Sequence, residues 1–199
     1  MSREKRFGGV FVIALAVLTG PEAASPTDLL EAPDLTSLRG DCRLELRSGR
    51  KPWPMLWLAC KRCSFVLLGR ASLEGHVAIQ TPEQALEFVR LFSTPNTWYL
   101  SRLERMVEVT AGKEADRARF VVSEERFSEC CVPPTATLTG ASTDDVKWFE
   151  VRRTVVEEDY RAFAITEAVD SDGNYTITDK KRLRVPGKEL GAFLNPYDI

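Results

Sequence analysis

The 199-residue chain has one histidine, His76, and no uninterrupted apolar run that approaches 18 residues. A site built from several imidazoles is therefore excluded, and so is a polytopic membrane protein. Charge of neither sign dominates: 27 basic against 29 acidic residues leave a net charge of −2, which provides no field to hold nucleic acid or anionic lipid. The recognisable catalytic spacings are missing too. There is no G-x-S-x-G, H-E-x-x-H, phosphate-cradling G-x-x-x-x-G-K or dinucleotide-binding G-x-G-x-x-G. No internal repeat or low-complexity tract is visible. What remains is an ordinary globular composition, 44% hydrophobic and 28% charged, long enough to build a core without relying on metal or disulfides.

The N-terminus reads as an export signal. Arg3, Lys5 and Arg6 make a positive start, residues 7–18 are uncharged and mostly apolar, and the small residues Ala23, Ala24 and Ser25 follow a Gly-Pro break. As a helix the uncharged run would span about 18 Å, short of a hydrocarbon core of about 30 Å, so it is a signal peptide and not an anchor. The expected division is a signal peptide over residues 1–25, a linker-like arm over 26–41 and a single α+β domain over 42–199. The mature chain is expected to be secreted or periplasmic, without stable membrane insertion once the signal is removed.

Export changes the meaning of the five cysteines, Cys42, Cys60, Cys63, Cys130 and Cys131, which then face an oxidising compartment. All five are disulfide candidates, and the odd count leaves at least one over. The C-x-x-C pair Cys60 and Cys63 lacks the following His of a haem site, because Ser64 stands there. Zinc would need a second pair at ligand spacing, and adjacent Cys130 and Cys131 fit that poorly. A thioredoxin-like redox pair would open a helix, whereas residues 64–68 read as a strand. The expectation is long-range disulfides that join Cys42, Cys60 or Cys63 to Cys130 and Cys131.

Periodicity supports an α+β fold class: one compact domain with a main amphipathic helix on a mainly antiparallel sheet. Two-residue alternation or short apolar runs mark strands near residues 43–47, 53–59, 65–68, 76–80, 106–110, 119–122, 147–156, 160–169 and 175–185. The helix covers about residues 82–93, with Thr81 as N-cap, Pro82 at the first helical position and Gln84 completing a capping box. Asp172-Gly173 between two alternating runs predicts a hairpin.

That hairpin turn also carries the calcium candidates. Asp170, Asp172 and Asn174 occupy positions 1, 3 and 5 of an EF-hand-like loop, but Tyr175 and Lys181 stand where the pattern needs Gly and Glu. Acidic pairs at Asp144-Asp145 and Glu157-Glu158-Asp159 are the residues on which a glycosidase-like hydrolase would depend. His76 reads as a half-exposed strand residue. Lys180, Lys181, Arg182 and Arg184 read as the solvent face of a strand guarding an edge. Trp53, Trp57, Trp98, Tyr99 and Trp148 could line a ligand groove or simply fill a core. No catalytic residue and no cofactor is assigned. The expected function is a non-catalytic binding or interaction protein, its ligand an unidentified protein or small molecule. An extracytoplasmic hydrolase and a structural envelope component are the alternatives.

Overall fold

A computed structural model describes residues 32–48, 54–94, 97, 100, 106–111, 121–142, 145–157, 159 and 161–186. The export pattern over residues 1–25 lies outside the described residues, as do Trp53, Trp98, Tyr99, Asp144 and Glu158. The fold is mixed α+β, built mainly from antiparallel strands.

Three strands come first: β1 (Arg43–Ser48), β2 (Pro54–Ala59) and β3 (Ser64–Val66) form an antiparallel meander. Alternation turns Leu56 and Leu58 of β2 fully inward. A single 3-10 turn over Arg70–Leu73 leads to α1 (Pro82–Arg90). Thr81 caps α1 by accepting the Gln84 N–H at 3.3 Å. Gln84 reaches back one residue beyond the reciprocal capping-box position, accepting the Gln80 N–H at 2.8 Å. The α-helix stops three residues short of the expected 93. Its last turn tightens: Leu91 N–H bonds to Phe88 O and Ser93 N–H to Arg90 O, the three-residue spacing of a 3-10 turn. The apolar face nonetheless continues, with Phe88 and Phe92 both fully buried.

A five-stranded antiparallel sheet makes the second half. Its order is β10 (Tyr175–Pro186), β9 (Arg161–Asp170), β8 (Lys147–Glu157) and β4 (Met106–Glu108), with β7 (Thr135–Ala141) also on β8. β4 and β7 lie end to end along one side of β8, while β9 follows its whole other side. A two-residue parallel pair, β5 (Thr110–Ala111) with β6 (Val121–Val122), precedes α2 (Glu124–Cys130). The described strands thus divide among three sheets where one was expected. The physical reason is burial: α1 and the first meander share one core cluster with Phe149, Val151 and Val169 of the large sheet, so both apolar faces close on each other.

Three smaller departures bear on the site. His76 is not in a strand; only Val77 makes a bridge, to Leu38. Leu35 and Ser37, from the expected arm, are buried, and Thr36 donates its N–H and hydroxyl to Glu87 of α1. The helix α2 was not anticipated, although Ser123 caps it by accepting the Arg126 N–H and Glu124 and Glu125 fill its first turn.

Candidate functional site

The sulfur chemistry gathers at the mouth of the β1–β2 ladder. The last register pair is Arg43 with Ala59, and one step beyond it Cys42 and Cys60 form a disulfide with Cα atoms 4.1 Å apart. This corrects the expected long-range links: Cys130 and Cys131 are free, and the closed loop spans 18 residues. Strand pairing explains it, because antiparallel register holds positions 42 and 60 face to face whereas α2 carries the other two elsewhere. Cys63 is free and exposed, one tight turn on, where the Cys60 N–H donates to the Cys63 carbonyl at 2.8 Å.

His76 joins this pair from a different part of the chain. One ligand atom each from Cys42, Cys60 and His76 all lie within 4.8 Å of one another, and all three residues are half-buried. The main chain of His76 is bonded on both sides: its backbone N–H donates to Leu73 O at 2.9 Å and its backbone carbonyl accepts the Arg39 N–H at 2.9 Å, while the imidazole ring sits 5.4 Å from that of Phe65. Gly75 (φ +75°) makes the turn that delivers it. Cys42 also lines a cleft of about 390 Å³ with Pro33, Asp34, Leu38, Arg43 and Leu44. Asp41 Oδ1 is 3.6 Å from Cys42 Sγ.

Cys130 and Cys131 are neighbours whose sulfurs are 3.0 Å apart at the end of α2. Burial, then the adjacent Cys130, pushes the Cys131 thiol up to about 12.

In the hairpin turn the calcium candidates make a closed polar knot. Asp170 Oδ1 accepts the N–H groups of Asp172 and Asn174, both at 2.9 Å, and Oδ2 accepts the Asn174 amide at 2.7 Å. Asp172 pairs with Arg39. These bonds explain the turn as hydrogen-bonded hairpin geometry. Of the acidic candidates, two of the described ones form ion pairs. Glu157 pairs with Lys180 and Arg161, Asp159 pairs with Arg161, and Asp145 sits at φ +60° in the β7–β8 turn.

Sequence inspection missed a buried ion chain between α1 and the large sheet. Arg153 on β8 is fully buried and grips Glu167 of β9 with two nitrogens, at 2.7 and 2.8 Å, and reaches Glu108 of β4 at 3.3 Å. Arg90 closes one end on Glu108 at 2.9 and 3.0 Å. Arg70, also fully buried, closes the other against Glu167 and lies 4.2 Å over the Tyr175 ring. Tyr175 donates its hydroxyl to Glu167 at 2.7 Å. Burial alone would raise Glu167, but the Arg153 and Arg70 charges hold its carboxyl below the ordinary range. Burial raises Tyr175, and the Glu167 carboxylate adds to the rise. The only sequence signal was a charge at alternate positions inside apolar strands, Arg153 between Val151 and Val155 and Glu167 between Ile165 and Val169.

The two long edges of the large sheet differ in chemistry. β10 exposes Asp179, Lys180, Lys181 and Arg182, the charge-guarded edge that the sequence pattern implied. β7 has no charged residue, is mostly exposed, and among the described residues pairs only with β8. Leu138 on it is 53% exposed. Trp57 carries Arg47 over its ring at 4.7 Å, while Trp148 is exposed on the other sheet, so these two aromatics line no common groove. Among the described residues no helix is long and apolar enough to cross a membrane. Compared with known proteins, the chain finds no counterpart: no family model, no curated protein and no solved structure matches it.

Proposed function

We propose that this chain is an exported binding domain, without catalysis of its own, that takes a partner polypeptide along β7. The observation that carries the proposal is the uncharged, exposed edge Thr135–Ala141, which has its only described strand partner on one side. An open edge offers a row of backbone donors and acceptors to an added strand, and proteins that do not use one normally block it with charge, proline or a covering segment. Among the described residues β10 carries that block as charge, whereas β7 has neither charge nor proline along its length. Leu138, on the same face as its register partner Phe149 yet half exposed, supplies an apolar anchor for an incoming side chain. Export is supported by the basic, apolar and small-residue pattern of residues 1–25 and by the Cys42–Cys60 disulfide, a bond that persists in oxidising compartments.

Affinity capture from the native compartment tests this, run in parallel with the wild-type chain and Leu138→Lys. The expected result is a protein retained by the wild type and reduced at least about tenfold by the lysine, the equivalent of about 1.4 kcal/mol. Equal retention by both chains, or no protein retained above background, would overturn it.

A further inference from the structure

The disulfide and the imidazole beside it point to a second state of the same site. We infer that the thiol form of Cys42 and Cys60, together with His76, is a three-ligand site for a zinc-class divalent cation, and that closing the disulfide empties it. Three observations carry this. The ligand atoms come from three separate places, the start of β1, the end of β2 and the loop before α1, and lie within 4.8 Å of one another. Tetrahedral zinc with sulfur at about 2.3 Å and nitrogen at about 2.0 Å needs ligand atoms about 3.5–3.8 Å apart, a separation that the two sulfurs reach once their bond is open. All three positions are fixed by backbone hydrogen bonding, the two cysteines by ladder register and His76 by its bonds to Leu73 and Arg39.

The donor chemistry selects the cation. Two thiolates and one neutral imidazole are soft and borderline ligands, which favour zinc and its neighbours over calcium or magnesium. Binding releases one proton from each thiol, so the two thiolates and the dication sum to zero charge. The thiol form is the state in which cytosolic thiols are kept before export. On oxidation by a disulfide-class acceptor each thiolate gives up one electron and the Cys42–Cys60 bond forms. Both metal–sulfur bonds break, and the acceptor takes the two electrons from the thiolates and two protons from solvent to become a dithiol.

The test titrates Co²⁺, as a coloured substitute for zinc, into the full chain reduced with a phosphine under anaerobic conditions. The expected result is one Co²⁺ per chain with a thiolate charge-transfer band, displaced by Zn²⁺ and absent from the oxidised protein. Cys42→Ser is expected to lose the band. His76→Ala is expected to weaken binding at least tenfold, and because its disulfide can still close, its fold is checked in the oxidised form by circular dichroism. Cys63→Ser and the double variant Cys130→Ser/Cys131→Ser are expected to bind as wild type does. No thiolate band in the reduced wild type, unchanged affinity in folded His76→Ala, or loss of the band in the Cys130/Cys131 variant would each overturn the inference.

Discussion

Arg153 grips Glu167 with Nε and Nη2 at 2.7 and 2.8 Å, and neither side chain has any solvent exposure. Desolvating two charges costs more than a surface pair would return, so such a contact persists only with matched geometry and further partners. Tyr175, Arg70 and Glu108 are those partners. Arg153→Met would leave two glutamates facing an apolar side chain, and the expected loss of stability is about 3–5 kcal/mol. The double variant Arg153→Met/Glu167→Leu is expected to recover part of that loss. Urea unfolding midpoints of the three proteins measure both effects.

Glu167 and its hydroxyl donor Tyr175 make the stability of the fold depend on pH. Glu167 titrates below its unfolded range, so its contribution is complete above about pH 4.3 and fades as pH falls through the lower folded value. Tyr175 is raised, so its contribution is complete below about pH 10 and fades as pH climbs past that toward the folded value. Unfolding free energy measured across pH should therefore decline at both ends; Tyr175→Phe should flatten the alkaline decline and, because its hydroxyl also helps hold Glu167 low, shrink the acid one only in part, the Arg153 and Arg70 charges remaining.

Gly173 is the turn residue at which a side chain would be both strained and crowded. Its φ is +89°, and an added Cβ would come 2.6 Å from Val77 Cγ2. Gly173→Ala combines backbone strain with a clash against a fully buried side chain, and a loss of about 1–3 kcal/mol is expected. Thermal unfolding checks it; an unchanged midpoint would mean that the turn does not pack on Val77.

The disulfide makes two linked predictions. Closing an 18-residue separation contributes about 3 kcal/mol in the chain-entropy model, so Cys42→Ala/Cys60→Ala should unfold at correspondingly lower denaturant. Maleimide labelling of the oxidised native chain, read by peptide mass spectrometry, should modify exposed Cys63 first and Cys131 slowly, because that thiol is held near 12.

Local rules carried far along this chain. Thr81, Pro82 and Gln84 announced α1, and Asp172-Gly173 announced the β9–β10 hairpin, because caps and turns are decided by neighbours in sequence. β7 was missed because its Thr-Ala-Thr-Leu-Thr alternation has almost no hydrophobic contrast, although the period of two is there at Thr135, Thr137 and Thr139. The cysteine pairing turned on register, which sequence does not display until Arg43 is known to face Ala59. His76 beside that disulfide and the five-residue ion chain depend on contacts between distant segments, such as Arg70 with Glu167, and no local pattern encodes these.

Whether β7 is the binding edge can be read directly at its own backbone. Hydrogen–deuterium exchange of peptides covering residues 135–141 should be compared in the free chain and in its complex with the captured partner. The expected result is marked slowing of exchange across β7 with little change across β10, as an added strand would produce. Slowing confined to other segments, with β7 exchanging as fast in the complex as in the free chain, would contradict it.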